Sequence, residues 1–256
     1  MFEFDLFSWH YPLLILAGFI AGFINTMAGG GSLLTLPLLI FMGLPSAVAN
    51  GTNRIAIFMS AFSATAGFKS KGVSNYPFNA YLGFAGLLGA LIGAQIAIDI
   101  EGDLFNKILA VIMIIVVLLI VFKPDIDYKN LSDRLTGKYL FISMIAFFFI
   151  GIYGGFINAG IGFVIILFLH YFNKLSLIKA NATKMVIVLI YTSGAIITFA
   201  LADKIDWTYG LFLASGNFLG GWVCSRWMIK KSEKIIKLFL LVMVILMSIK
   251  LWFFSN

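Results

Sequence analysis

Apolar residues run along this chain in blocks of about 19–24, long enough to cross a ~30 Å hydrocarbon core as helices, with polar residues collected between them. One region departs from that pattern. Residues 6–27 are apolar and end at Gly29-Gly30-Gly31, and a second apolar stretch runs only from Leu33 to Met42, with Pro37 inside it. At 1.5 Å per residue the second stretch is about 15 Å long and cannot cross alone. The two therefore predict the arms of a helical hairpin broken by glycine. Gly43-Leu44-Pro45 then turns the chain into a full span over 45–68, closed by Lys69-Ser70-Lys71. Spans over about 78–98 and 104–122 follow, separated by Asp99, Glu101 and Asp103. A polar loop, 123–138, divides the chain into a first transmembrane repeat, 1–122, and a second, 139–256.

The second half repeats the first. Gly22-Phe-Ile-Asn25 returns as Gly155-Phe-Ile-Asn158, and Ala49-Asn-Gly-Thr-Asn53 as Ala180-Asn-Ala-Thr-Lys184. Gly18-xxx-Gly22 returns as Gly151-xxx-Gly155, Gly89-xxx-Gly93 as Gly216-xxx-Gly220, and Lys107-Ile108 as Lys234-Ile235. Five matches in order point to a duplicated unit.

Loop charge decides how the halves are related. If the broken hairpin counted as one span, Lys69/Lys71 and Arg226/Lys230/Lys231 would fall on opposite sides of the membrane. If the hairpin returns to its starting side, each half has five segments and the second is inverted. Lys69, Lys71, the 123–138 linker, Lys174, Lys179 and the Arg226–Lys231 cluster are then cytoplasmic. The acidic start, Asp99/Glu101/Asp103 and Asp203/Asp206 lie outside. That arrangement obeys the positive-inside rule at every loop. The expected fold is an all-α polytopic membrane protein of two inverted repeats, each of about five helical segments and opening with a glycine-broken hairpin, a plan common among secondary transporters. Multi-pass insertion in the plasma membrane with both termini extracytoplasmic follows. Trp9, Trp207, Trp227 and Trp252 fall near predicted span ends, where interfacial tryptophans collect.

Composition supports the membrane class: 61% hydrophobic, 11% charged, mean hydropathy +1.03. The net charge of +7 lies in short loops between spans, so it reads as topological bias and not as nucleic-acid binding. The lone Cys224 excludes an internal disulfide. The start, Met-Phe-Glu-Phe-Asp, lacks the basic region of a cleavable signal. No cofactor is implied, and a homodimer is compatible with the sequence.

Candidate chemistry sits at the breaks. Gly29, Gly30 and Gly31 lack the lysine of a phosphate loop, yet their N–H groups at the midplane can nest an anion or simply make a tight turn. Asn25 and Asn158 flank the two breaks, and Gly160 and Gly162 make the second. Asn50-Gly-Thr52-Asn53-Arg54 and Asn181-Ala-Thr183-Lys184 lie about nine residues into their spans. Asn-Gly is a turn signal, so Thr52 and Thr183 are expected to N-cap restarted helices beside the two cations. Arg54 and Lys184 can bridge to backbone carbonyls, or hold an anion between the repeats with Asn25, Asn158, Thr52, Thr183 and the break amides. With no acid at their depth, the anion is the preferred reading. The Gly-xxx-Gly pairs suit close helix packing.

These residues resemble the TauE/SafE family of sulfite and organosulfonate permeases, over nearly the whole chain. The resemblance rests on Gly29–Gly31 with Pro37 downstream, on Ala49-Asn-Gly-Thr52, where the family shows Ala-x-Gly-Thr-Ser, and on weaker copies in the second half. Asn53 replaces the usual serine, and the second repeat has no counterpart of Pro37. The resemblance implies a permease or exporter for a small sulfur-containing anion such as sulfite. An anion channel would reuse the same site without alternating access. An embedded hydrolase would need Ser32 and His170 as nucleophile and base, and His170 is expected at an interface. A transporter, not an enzyme, is the reading carried forward.

Overall fold

The structure, a computed structural model, describes residues 9–121 and 132–229. The acidic start, residues 123–131 of the linker, Lys230, Lys231, the Lys234-Ile235 match and Trp252 lie outside the described residues. Those described are helical and carry no strand. The order is α1 (His10–Met27), α2 (Ser32–Phe41), α3 (Ser46–Lys69), α4 (Phe78–Asp99), α5 (Gly102–Val121), α6 (Gly137–Phe156), α7 (Ile161–Tyr171), α8 (Leu177–Leu201) and α9 (Trp207–Ile229). Helices α1, α4, α6 and α8 are long and apolar enough to cross a membrane. Helices α3 and α9 have the length, with 24 and 23 residues, but carry more polar side chains. Helices α2 and α7, at 10 and 11 residues, are too short.

Glycine decides which helices touch. A Cβ on Gly18 would stand 2.3 Å from the Leu213 carbonyl, one on Gly22 2.4 Å from that of Asn217, and one on Gly216 2.0 Å from that of Ile15. The matched numbers rise together, so α1 and α9 run parallel with backbones in contact, as small residues permit within a bilayer. The same contact joins α4 and α6. Gly151 lies on Gly86, Gly155 on Ala90, and Gly93 on Ile152, again in parallel. Helix α3 runs parallel to α9, with Gly67 on Ser225 and Gly221 on Ser60, while α4 runs parallel to α8. Helices α3 and α8 are antiparallel: Gly51 meets Phe199, and Asn75, beyond the end of α3, bonds Thr183 near the start of α8.

Two sheaves result, α1/α3/α9 and α4/α6/α8, running in opposite senses. Lys69, Lys71, Lys138, Lys179 and Arg226 gather at one end of the bundle, and Asp99, Asp203 and Asp206 at the other. Lys204 sits among the acids. The short helices pack inside their own halves, α2 on α3 and α7 on α8.

One local expectation is overturned. Helices α3 and α8 run unbroken through Asn50-Gly51-Thr52 and Asn181-Ala182-Thr183, so neither threonine caps a restarted helix. Tertiary packing outweighs the turn signal. Gly51 is small because the Lys204 carbonyl would stand 2.0 Å from a Cβ there. The threonine hydroxyls instead accept hydrogen bonds from loops that close the bundle. Asp206 N–H bonds Thr52 Oγ1 at 2.8 Å, and Asn75 Nδ2 bonds Thr183 Oγ1 at 2.7 Å.

Candidate functional site

Two helices end inside the bundle. The last carbonyls of any helix lack intrahelical donors, and in lipid they must find partners within the protein. Helices α1 and α6 end this way, each followed by a four-residue break. In the first break Ala28 N–H and Gly29 N–H both turn back to the Ile24 carbonyl, with Gly29 left-handed at φ 84°. In the second, Ile157 N–H and Asn158 N–H turn back to Tyr153, with Asn158 left-handed at φ 61°. The structural partner of Asn158 is thus Gly29. Asn25 lies a turn earlier, inside α1, so the two asparagines matched by sequence are not equivalent in space.

The breaks meet. A Cβ on Gly29 would stand 2.1 Å from the Gly162 Cα, and one on Gly162 2.2 Å from the Gly29 Cα. Gly30 lies under the Phe163 ring, and Gly31 lies against the Ala21 carbonyl and Asn25 Cβ. Gly160, left-handed at φ 70°, precedes α7. Asn158 spans the junction: its Nδ2 donates to Ser32 Oγ at 3.3 Å and its Oδ1 accepts from Tyr191 Oη at 2.5 Å. Thr35 Oγ1 bonds Asn53 Oδ1 at 2.7 Å, which ties α2 to α3. The N–H groups of Gly30, Gly31 and Ser32 precede the first bond of α2, Leu33 N–H to Gly30 O, as the first turn of a helix leaves them.

The cations close the helix ends across the two halves. Lys184 Nζ, from α8, donates to the Asn25 carbonyl at 2.9 Å, to that of Thr26 at 3.0 Å, and to Asn181 Oδ1 at 2.8 Å. Arg54, from α3, donates through Nη1 to the Gly154 carbonyl, through Nη2 to that of Gly155 at 2.7 Å, and through Nη2 to Asn50 Oδ1 at 3.0 Å. Each cation takes the two carbonyls just before its target helix's last residue, plus an asparagine oxygen on its own helix. Asn50 Nδ2 adds the Phe156 carbonyl at 2.7 Å. Both side chains are 0% exposed. A cation at a helix C-terminus also meets the negative end of the macrodipole.

The bridging option weighed for these cations is therefore realised. Every partner is neutral, and among the described residues no Asp or Glu is buried. Arg54 additionally faces Phe199, its Cζ 5.7 Å from the ring centroid. Ser32 and His170 form no pair: Ser32 accepts from Asn158, and His170 Nδ1 bonds the Leu175 carbonyl at 2.7 Å. His170 is buried in the last turn of α7, toward the positive end of the bundle. Sequence reasoning missed Tyr191 and Thr35. Thr35 lies four residues past Gly31, on the first face of α2, and that spacing was the available signal.

Comparison with known proteins finds similarity to membrane transporters. The model of the family described as "Sulfite exporter TauE/SafE" matches residues 14–251. A "Probable membrane transporter protein" of Haemophilus influenzae is 28% identical over 93% of this chain and 93% of its own length. "Probable membrane transporter protein ORF9" of Sinorhizobium sp is 30% identical, covering 96% of this chain and 94% of its own. "Probable membrane transporter protein YfcA" of Escherichia coli K12 is 29% identical over 95% and 90%. No solved structure gives a significant match.

Proposed function

The chain belongs to the TauE/SafE family, and we propose that it is a secondary transporter that moves a small oxyanion, sulfite or an organosulfonate, through a site where its two helix breaks meet. One observation carries the anion: two buried formal positive charges whose partners are all neutral. Carbonyls satisfy the donors and leave the charge uncompensated, so the junction favours an anion in a medium of low dielectric. Sulfite and sulfonates present several oxygens to the amides and N–H groups of Asn25, Asn53, Asn158 and the glycine breaks.

We propose further that the halves are inverted repeats. The opposite senses of α1/α3/α9 and α4/α6/α8 support this reading, as does the matched way each half's cation closes the other half's broken helix. The positive end of the bundle is then cytoplasmic. Single cysteines at Lys71 and Glu101, in a Cys224→Ala background, are both exposed positions. An impermeant thiol reagent on intact cells should label 101 and spare 71. The opposite pattern would overturn the orientation.

The functional test is counterflow in proteoliposomes. Unlabelled sulfite or methanesulfonate inside should drive transient, saturable accumulation of the labelled anion from outside. Single-channel currents without counterflow would replace the carrier by a channel, and movement of neither anion would end the reading.

A further inference from the structure

We propose that Arg54 is the cation that touches the transported anion, through its Nε–H, and that Lys184 is a latch that does not. This rests on the anion reading above and divides its two cations. Their acceptor sets have the same composition: two consecutive backbone carbonyls at a broken helix end and one asparagine Oδ1. A lysine ammonium has three N–H donors and fills that set with none left over. Lys184 does so. An arginine has five, so the same three bonds leave two.

One of the two is plainly unused. Arg54 Nε is wholly buried and has no acceptor. A buried donor without a partner forfeits about the full worth of its hydrogen bond, and such groups in a native fold require an explanation. Lysine in the same setting would have avoided the cost, as the second half demonstrates. The buried orphans Ser60, Thr65 and Thr192 are hydroxyls, which can rotate toward a carbonyl of the preceding turn. A planar guanidinium fixed by three bonds and facing Phe199 cannot turn. Its Nε–H waits for an acceptor that the protein does not supply.

Two buried side-chain amide donors also lack a partner: Asn25 Nδ2, on the last turn of α1 that Lys184 closes, and Asn53 Nδ2, next to Arg54 on α3. An oxyanion brings several acceptor oxygens to such donors, where a halide offers a single centre. Charge alone would treat the two cations alike; the spare donor does not.

Arg54→Lys tests the division because it keeps the charge and enough donors for the three acceptors while deleting the spare N–H. Purified full-length protein in detergent would be titrated with sodium sulfite and with methanesulfonate, following thermal stability and calorimetric Kd. Arg54→Lys should hold the ligand-free Tm near wild type and weaken both anions tenfold or more. Lys184→Gln should lower the ligand-free Tm further than Arg54→Lys does, and although it removes a charge it should weaken both anions less than Arg54→Lys. Equal Kd for Arg54→Lys and wild type would overturn the inference, as would a tenfold loss confined to Lys184→Gln. Wild type binding neither probe would instead end the anion reading itself.

A readout without substitution at the site guards against misfolding. Arg54, Arg134 and Arg226 are the chain's only arginines. Protein labelled with 15Nε-arginine should thus give three Nε signals, assigned with Arg134→Lys and Arg226→Lys. Saturating sulfite should move the Arg54 signal downfield and leave the others in place. A bound protein with an unmoved Arg54 signal would refute the contact.

Discussion

Placing a cation at mid-span costs about 2.5–3.5 kcal/mol on insertion scales. Hydrogen bonds to charged groups return about 1.5–3 kcal/mol each, so the three bonds of Lys184 make the position tolerable while leaving its charge without a counterion. This explains how Arg54 and Lys184 are tolerated, and both were legible as anomalies in apolar sequence. Their carbonyl partners were not, because each partner lies about 100 or more residues away on the other half. The glycines follow the same division. That Gly29 and Gly160 break helices could be read from the chain, but the contact of Gly29 with Gly162, in the first turn of α7, could not. Gly162→Ala should abolish the folded protein, measured as loss of the monodisperse peak in fluorescence-detected size exclusion, because a Cβ there stands 2.2 Å from the Gly29 Cα. Gly72→Ala is the control. It needs a left-handed backbone at φ 76° but has nothing within 4 Å, so it should cost only about 1–2 kcal/mol of strain and still give the peak. Equal behaviour of the two would mean that the breaks are not packed against each other.

Among the elements, the long apolar periods placed the spans within a few residues, since a helix that must cross lipid has its length set by the bilayer. Two features escaped. The four residues Asn50 to Asn53 suggested a broken helix, yet in lipid an unbroken helix satisfies its own backbone. The asparagine is needed there for its oxygen, which completes the Arg54 set. The second is the one-turn difference between the breaks. Motif matching pairs Asn25 with Asn158, an offset of 133, whereas the left-handed residues Gly29 and Asn158 pair at 129. Helix α1 simply continues one turn further past its Gly-Phe-Ile-Asn motif than α6 does. Asparagine is among the few non-glycine residues that tolerate the left-handed region, so it can stand where the first half has glycine. The duplication was legible and the divergence was not, because a one-turn change keeps the apolar face in register.

At the scale of the molecule, two loops reach inward to the depth of the motif helices. The α3–α4 loop bonds Thr183 through Asn75, and the α8–α9 loop bonds Thr52 through Asp206 N–H. They lie at opposite ends of the bundle, one beside the positive terminus and one beside the acidic. Thr52 is two residues from Arg54 and Thr183 is next to Lys184, so each loop rests on the helix turn that carries a cation. For a carrier, one end must open while the other stays shut, and a loop held by a single hydrogen bond at about 0.5–1.5 kcal/mol is a cheap element to release. Asn75→Cys with Thr183→Cys, in the Cys224→Ala background, places two thiols where the side chains now bond at 2.7 Å. Oxidation by copper phenanthroline should stop sulfite counterflow in proteoliposomes, and dithiothreitol should restore it, while each single cysteine transports in both conditions. Counterflow that persists in the fully oxidised double variant would mean that this loop stays closed throughout the cycle, and that the anion passes by another route.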